Sequence, residues 1–164
     1  MTDNRAQLQP IVGTFLVLLL TACVNGSERL GKNGGLASGP DLPPVFFRSG
    51  LPASEGGLMD ALDDRITDPS GALRNALQAA NANSKVKLEI GGHADLEECE
   101  TTDCYALSRR RAAAVHAWLV GHGISERALS APKGYGHDRA IAADSTDSER
   151  RYNRRVEFSL VGPR

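Results

Sequence analysis

Long apolar stretches are missing from this chain of 164 residues. The most apolar run, Ile11 to Leu20, is half as long as the ~20 residues a membrane-crossing helix needs. Aromatic residues make up only 5% of the chain, and the net charge is −1. So balanced a chain lacks the basic field on which nucleic-acid binding draws, and no nucleic-acid partner is expected. Signatures of catalysis are missing too. There is no His-Glu-x-x-His pattern and no serine in a nucleophile-elbow context. Cysteine is scarce: of the three, Cys99 and Cys104 have no second Cys or His pair nearby, so a structural zinc site is not expected. The chain is read as a non-enzyme without metal or cofactor.

What is present is unevenly placed. Asp95, Glu97, Glu98, Glu100 and Asp103 lie together without a basic residue. Arg109, Arg110 and Arg111 follow, and Arg150, Arg151, Arg154 and Arg155 form a second basic cluster. Each cluster has a plain reading as a solvated loop or helix face. Asp95 and Arg111 also suggest a pair: an anion at the end of an apolar run and a planar cation on a helix. Brought together, they would suit a zwitterion carrying an ammonium beside a carboxylate. Without further motifs they read equally well as a salt bridge capping a helix.

The N-terminus reads as an export signal, with Arg5 before the apolar run. The run ends in Leu20-Thr21-Ala22-Cys23, which resembles the lipobox of bacterial lipoproteins. That resemblance implies a signal peptide over 1–22 and lipidation of Cys23, with palmitate among the acyl chains. The protein would then sit on a membrane rather than through it. Val24 follows the cysteine, and an aspartate there would favour inner-membrane retention. The expected location is therefore the outer membrane, lipid-anchored and facing the periplasm. The alternative is an ordinary signal peptide with an incidental cysteine. Residues 23–44, rich in Gly and Pro, read as a linker spanning roughly 25 Å as a coil and about 70 Å at full stretch. In an oxidising compartment, Cys99 and Cys104 fit a disulfide, although two free thiols at a frayed helix start would also fit. Closing so short a loop is worth only about 2 kcal/mol on the chain-entropy model, so its value would be local.

Folded structure is expected over 45–161. Val45-Phe46-Phe47 is a short strand. Leu58, Leu62 and Ile66 are spaced for a helix over 54–66, with Ser54 as its cap. Asp68-Pro69 starts a second helix, whose stripe is Leu73, Ala76, Leu77 and Ala80. Val86, Leu88 and Ile90 alternate with charged residues, which predicts a half-buried strand broken by Gly91-Gly92. A long helix runs from Asp103 or Tyr105 to Val120 and stops at Gly121 and Gly123. Leu129 to Ala131 is a brief strand, 133–136 a flexible segment, and 142–150 a polar loop with a short helical turn. Alternation from Arg155 to Leu160 gives a final strand. The fold class is α/β, a β-α-β-α-β-β sandwich with a small mixed sheet and helices on one face.

Four blocks then combine. Gly92-His93-Ala94-Asp95, Leu107-Ser108-Arg109-Arg110-Arg111-Ala112, Gly134-Tyr135-Gly136 and Asn153-Arg154-Arg155-Val156-Glu157-Phe158 resemble, in order and approximate spacing, the OmpA-like C-terminal domain. The resemblance implies noncovalent binding of peptidoglycan. Asp95 would receive the ammonium of a diaminopimelate side chain and Arg111 its carboxylate. Guanidinium suits the second role because its fork meets a carboxylate two-pronged. Leu107 would wall the pocket, and Arg155 would fix the sheet edge beside it. Asn153 and Arg154 read as structural. Since Asp95 and Arg111 lie at element ends, the fold is expected to survive loss of either. Two positions depart from the family pattern: Cys104 replaces an asparagine, and Arg48 an aspartate. The stretch 54–82 looks longer than the family's single helix.

The function implied is an outer-membrane lipoprotein that ties peptidoglycan to a membrane through its N-terminal lipid. The alternative is a wall-anchored interaction subunit of an envelope or secretion machine, with envelope proteins as partners. A wall enzyme built on His93, Asp95 and His137-Asp138 lacks any supporting pattern. Lipidation has a direct check. Cys23→Ala should abolish palmitate incorporation and move the protein from the membrane to the soluble fraction. Equal labelling and fractionation of variant and wild type would exclude the anchor.

Overall fold

The computed structural model describes residues 42–54, 57–82 and 85–162. The lipobox, the signal segment and most of the linker lie outside them. Four strands form one mixed sheet in the order β1-β4-β2-β3: β1 Val45–Phe46, β2 Lys87–Gly92, β3 Lys133–Gly134 and β4 Arg155–Val161. β4 runs antiparallel to β1 and β2, and β3 runs parallel to β2. Among the described residues five α-helices accompany them, with a 3-10 turn at Glu126–Ala128: α1 Leu58–Ala61, α2 Pro69–Ala82, α3 Leu96–Thr101, α4 Cys104–Gly121 and α5 Asp147–Asn153. Among the described residues, no helix is long and apolar enough to cross a membrane.

The alternation along β2 and β4 builds the core. Leu88 stands opposite Leu160, Ile90 opposite Phe158 and Gly92 opposite Val156. This face packs with Leu73 and Ala76 of α2 and with Ala112, Val115 and Leu119 of α4. Pro69 follows Asp68, whose carboxylate accepts from the Ser70 amide at 3.0 Å, so α2 starts at the expected capping pair. Asp103 caps α4 through the Ala106 amide at 3.0 Å. The helix ends where Gly123 takes a φ of 93°.

Four elements differ from the periodicity. The helix expected over 54–66 shrinks to α1, because Leu62 leaves it to form an antiparallel bridge with Phe47. The strand expected at 129–131 is a single bridge, Leu88 to Leu129, and β3 forms instead at 133–134, in the segment read as flexible. The acidic stretch after Asp95 holds a helix, α3. The helical turn expected within 142–150 is a full helix, α5, which begins and ends later.

Gly91-Gly92 does not break β2. Both residues pair with β4 and with β3. Their lack of a side chain serves close approach instead. A Cβ on Gly92 would lie 1.9 Å from the Ser108 carbonyl oxygen, and one on Gly134 would lie 2.6 Å from the Arg109 nitrogen. α4 thus lies backbone to backbone on the β2–β3 pair. Ser108 locks this contact, donating to the Tyr105 carbonyl at 3.1 Å and accepting from the Gly136 amide at 3.0 Å. Overpacking at such a contact costs about 1–3 kcal/mol where neighbours can yield, and here the obstacle is backbone. Gly92→Ala should therefore destabilise by about 3 kcal/mol or more in urea unfolding. A loss below about 0.5 kcal/mol would show that α4 is free to move off the sheet.

Candidate functional site

β2 delivers the chain to Asp95, the N-cap of α3. Asp95 Oδ1 accepts from the Glu98 amide at 2.7 Å, and the Glu98 side chain returns to the Asp95 amide at 3.2 Å, which completes a capping box. The side chain of Asp95 is 0% exposed. Burial pushes its carboxyl above the ordinary range, and the Glu98 charge adds to this against the opposing hydrogen bonds. Its compensation is Arg154, whose Nη1 donates to Oδ2 at 2.7 Å. Arg154 Nη2 reaches Asp147 at 3.0 Å, so this guanidinium bridges a buried carboxylate and an exposed one.

Arg111 is also 0% exposed. Its fork meets Glu98 two-pronged: Nη2 to Oε1 at 2.6 Å and Nη1 to Oε2 at 2.8 Å. The remaining N–H groups go to backbone carbonyls. Nε donates to Leu51 at 2.9 Å, Nη1 to His93 at 2.9 Å and Nη2 to Arg48 at 3.3 Å. Every guanidinium proton has an acceptor, as a buried arginine requires. The guanidinium carbon also lies 5.4 Å from the centre of the Phe47 ring. Glu98 in turn accepts from the Gly50 amide at 2.8 Å.

Asp95 and Arg111 are thus brought to one place, but not to each other. They converge on Glu98 Oε2, which lies 3.2 Å from the Asp95 nitrogen and 2.8 Å from Arg111 Nη1. Leu107 is buried one turn before Arg111 on α4, on the same side of the helix. Arg155 stands apart. It shares with Glu157 the sheet face opposite α4, where its Nε donates to Glu157 at 2.7 Å and its Nη2 to the Arg139 carbonyl at 2.9 Å. The arginine that reaches Asp95 is its neighbour Arg154. Asn153 is structural: its amide oxygen accepts from Ile141 and Ala142, and its nitrogen donates to the Ala142 carbonyl and Asp144. Cys99 of α3 is joined to Cys104 at the start of α4, with 4.7 Å between Cα atoms.

Sequence reasoning passed over Glu98 and Arg154 as site residues. The signal for Glu98 was available, because Asp95-x-x-Glu98 has capping-box spacing and that box turns the glutamate back toward the end of β2. No local signal separates Arg154 from Arg155. Arg154 is the C-cap of α5 and Arg155 the first residue of β4, so the turn between helix and strand does so.

Burial also changes the expectation for substitutions. Truncating Arg111 would strand a buried Glu98, and truncating Asp95 would strand the inner end of Arg154. Losing one partner of such a pair typically costs about 3–5 kcal/mol. The fold is therefore not expected to tolerate alanine at either position as the element-end argument implied.

A groove of about 450 Å³ beside α4 is lined by Tyr105, Arg109, Lys133 and Tyr135 among others. On the polar sheet face, His93 is buried and stacks on Tyr135 with ring centres 5.3 Å apart. Its Nε2 stands 3.6 Å from Glu157. Glu157 is held down to about 2 by His93 and by Arg155, against its partial burial. A carboxylate depressed in the folded state stabilises above its unfolded value of 4.5 and loses that contribution as the pH falls toward 2. The stability gap between wild type and Glu157→Gln should therefore narrow as the pH falls from 4.5 toward 2. A gap independent of pH across that window would show that Glu157 titrates normally.

Comparison with known proteins places this geometry. Residues 63–154, more than half of the chain, match the OmpA family. Outer membrane porin F of Pseudomonas fluorescens is 32% identical over 102 residues, which is 60% of this chain and 30% of that protein. The chain therefore spans under a third of the length of that relative. In fold, it resembles the peptidoglycan-associated lipoprotein of Burkholderia pseudomallei, with a TM-score of 0.56 at 18% identity over 72% of this chain and 90% of the other. A likeness of the same order holds for the C-terminal domain of Helicobacter pylori MotB, with a TM-score of 0.55 at 21% identity over 74% of this chain and 87% of the other. By its sequence over residues 63–154, and with a fold in agreement, the chain belongs to the OmpA family.

Proposed function

We propose that this domain binds peptidoglycan noncovalently through a diaminopimelate side chain and, as an outer-membrane lipoprotein facing the periplasm, ties the wall to the membrane. The observation that carries this reading is the convergence of Asp95 and Arg111 at one buried site in a chain of the OmpA family. The likeness in fold to a protein named for its association with peptidoglycan supports it. The chemistry agrees. Asp95 is an acceptor for an ammonium, and Arg111 is a rigid fork for the carboxylate beside it. Leu107 supplies apolar wall. No residue is assigned a catalytic role, and no cofactor is invoked.

A wall-anchored subunit of an envelope machine is the second reading. The MotB likeness supports it, as do Glu97 and Glu100, which lie exposed on α3. The two readings share the wall site and differ in whether a protein partner is required.

The wall site is tested with the most conservative substitutions, each checked for folding by circular dichroism before binding is measured. Asp95→Asn keeps a good N-cap residue, and Arg111→Lys keeps a cation for Glu98 while removing the fork. Each should weaken binding to diaminopimelate-type sacculi by about 2–4 kcal/mol, roughly 30- to 1,000-fold, in a sedimentation assay. Lysine-type wall lacks the side-chain carboxylate, so it should bind weakly and respond little to Arg111→Lys. Undiminished binding in both folded variants would move the ligand site away from this pair.

A further inference from the structure

The fork that should take a ligand carboxylate is already filled. We propose that Arg111 and the Gly50 amide form a carboxylate subsite occupied by the chain's own Glu98, and that a ligand carboxylate enters by displacing α3. For the identity of the ligand this rests on the wall-binding reading. For the existence of the subsite it rests on geometry alone.

Glu98 sits as a bound carboxylate would. Both oxygens engage the fork, at 2.6 and 2.8 Å, and Oε1 takes the Gly50 amide as well. The receptor side does not depend on this occupant for its shape. Three carbonyls, those of Leu51, His93 and Arg48, hold the guanidinium from other segments, and Phe47 lies near it. The fork therefore keeps its orientation when Glu98 leaves. A receptor already arranged for its ligand loses little in ordering on binding.

The occupant side is loosely built. α3 has six residues, and Glu98 is its one buried residue. Its Leu96 is exposed, so the helix has no apolar anchor. Apolar burial is what ordinarily holds a short helix in place. The other attachments of α3 are polar and peripheral: Glu97 to Arg150 at 2.9 Å, and the Leu96 amide to Asp144 at 3.4 Å. The Cys99–Cys104 bond then ties α3 to the first residue of α4. An element with little buried apolar surface is held mainly by polar contacts, which an incoming carboxylate can replace, and a covalent tether keeps it close to the site it leaves.

One movement would free both poles. The Glu98 carboxylate leaves Arg111, and the Glu98 amide leaves Asp95 Oδ1, to which it donates at 2.7 Å. An acceptor for an ammonium opens beside a donor for a carboxylate, as a zwitterionic side chain requires. Until then the tethered glutamate competes at high effective concentration, and the observed affinity is reduced by the fraction of open molecules.

The test uses the full chain as wild type, Glu98→Ala and Glu98→Gln, with two probes. The first is sedimentation with diaminopimelate-type sacculi. The second is thermal melting in acetate against chloride at equal ionic strength. Self-occupancy predicts sacculus binding at least tenfold tighter in Glu98→Ala, and acetate raising the melting temperature of Glu98→Ala but not of wild type. Unchanged or weaker binding in the variants, with no acetate effect, overturns the proposal while leaving wall binding by wild type intact. Acetate rescue with no sacculus binding by any form keeps the subsite and sinks the wall reading. Acetate rescue with wall affinity unchanged overturns displacement. Should Glu98→Ala not fold, Glu98→Gln keeps the shape without the charge, and binding no tighter than wild type in that variant overturns the proposal.

Discussion

A guanidinium that cannot shed its charge is buried at the junction of four segments, and the architecture around it follows from the need to satisfy it. Arg111 projects from α4 and binds the loop after β1 through Arg48 and Leu51, the end of β2 through His93, and α3 through Glu98. An arginine in water would lose little if one of these were missing. A buried one loses a hydrogen bond and gains an unpaired charge in a medium that screens poorly. Each partner is therefore held in position by the same requirement. Beside it the Arg154–Asp95 pair sets a second buried guanidinium against a carboxylate of the same capping box.

The charge could not reach this junction without the close approach of α4 to the sheet. Gly92 and Gly134 face each other in register on β2 and β3 and leave no side chain between the sheet and the helix backbone. Apolar contacts of Val115 and Leu119 then hold the far half of α4 in the core, while its near half carries Arg111 and Ser108. The helix is thus fixed by apolar packing toward one end and by polar satisfaction toward the other. That division leaves α3, held by polar contacts and the Cys99–Cys104 bond without apolar burial, as the part proposed to move.

On the proposed reading, the arrangement is a site for a zwitterion that the protein closes with its own charges. Asp95 has Arg154, and Arg111 has Glu98. Neither charge is lost to solvent while the site is empty, which avoids the desolvation penalty a bare buried pair would carry. Affinity for an external ligand is then a difference between two well-satisfied states. Such a site discriminates strongly, because a ligand missing either charge cannot replace what it displaces.

Much of this was legible locally. The alternation in β2 and β4, the Asp68-Pro69 and Asp103 helix starts and the stripe of α4 depend on neighbours a few residues away, and the physics of caps and periodicity acts at that range. The four motif blocks, by resemblance, picked out Asp95 and Arg111 together. Local spacing misjudged Leu62, which has helical periodicity yet is drawn into a bridge with Phe47, and Gly91-Gly92, which look like a breaker yet form strand. Both outcomes turn on segments distant in sequence. The identities of the charged side chains, and the elements that carry most of them, were determined by the sequence itself. Which carboxylate meets which guanidinium was decided only by the tertiary structure. Capping-box spacing after Asp95 marks Glu98 among the three glutamates, but that its carboxylate meets Arg111 is decided only by the packing of α4 beside the end of β2. Arg154 and Arg155 are adjacent, but Arg154 caps the end of α5 while Arg155 opens β4 on the face opposite α4, and which of them meets Asp95 is decided only by how α5 and β4 pack.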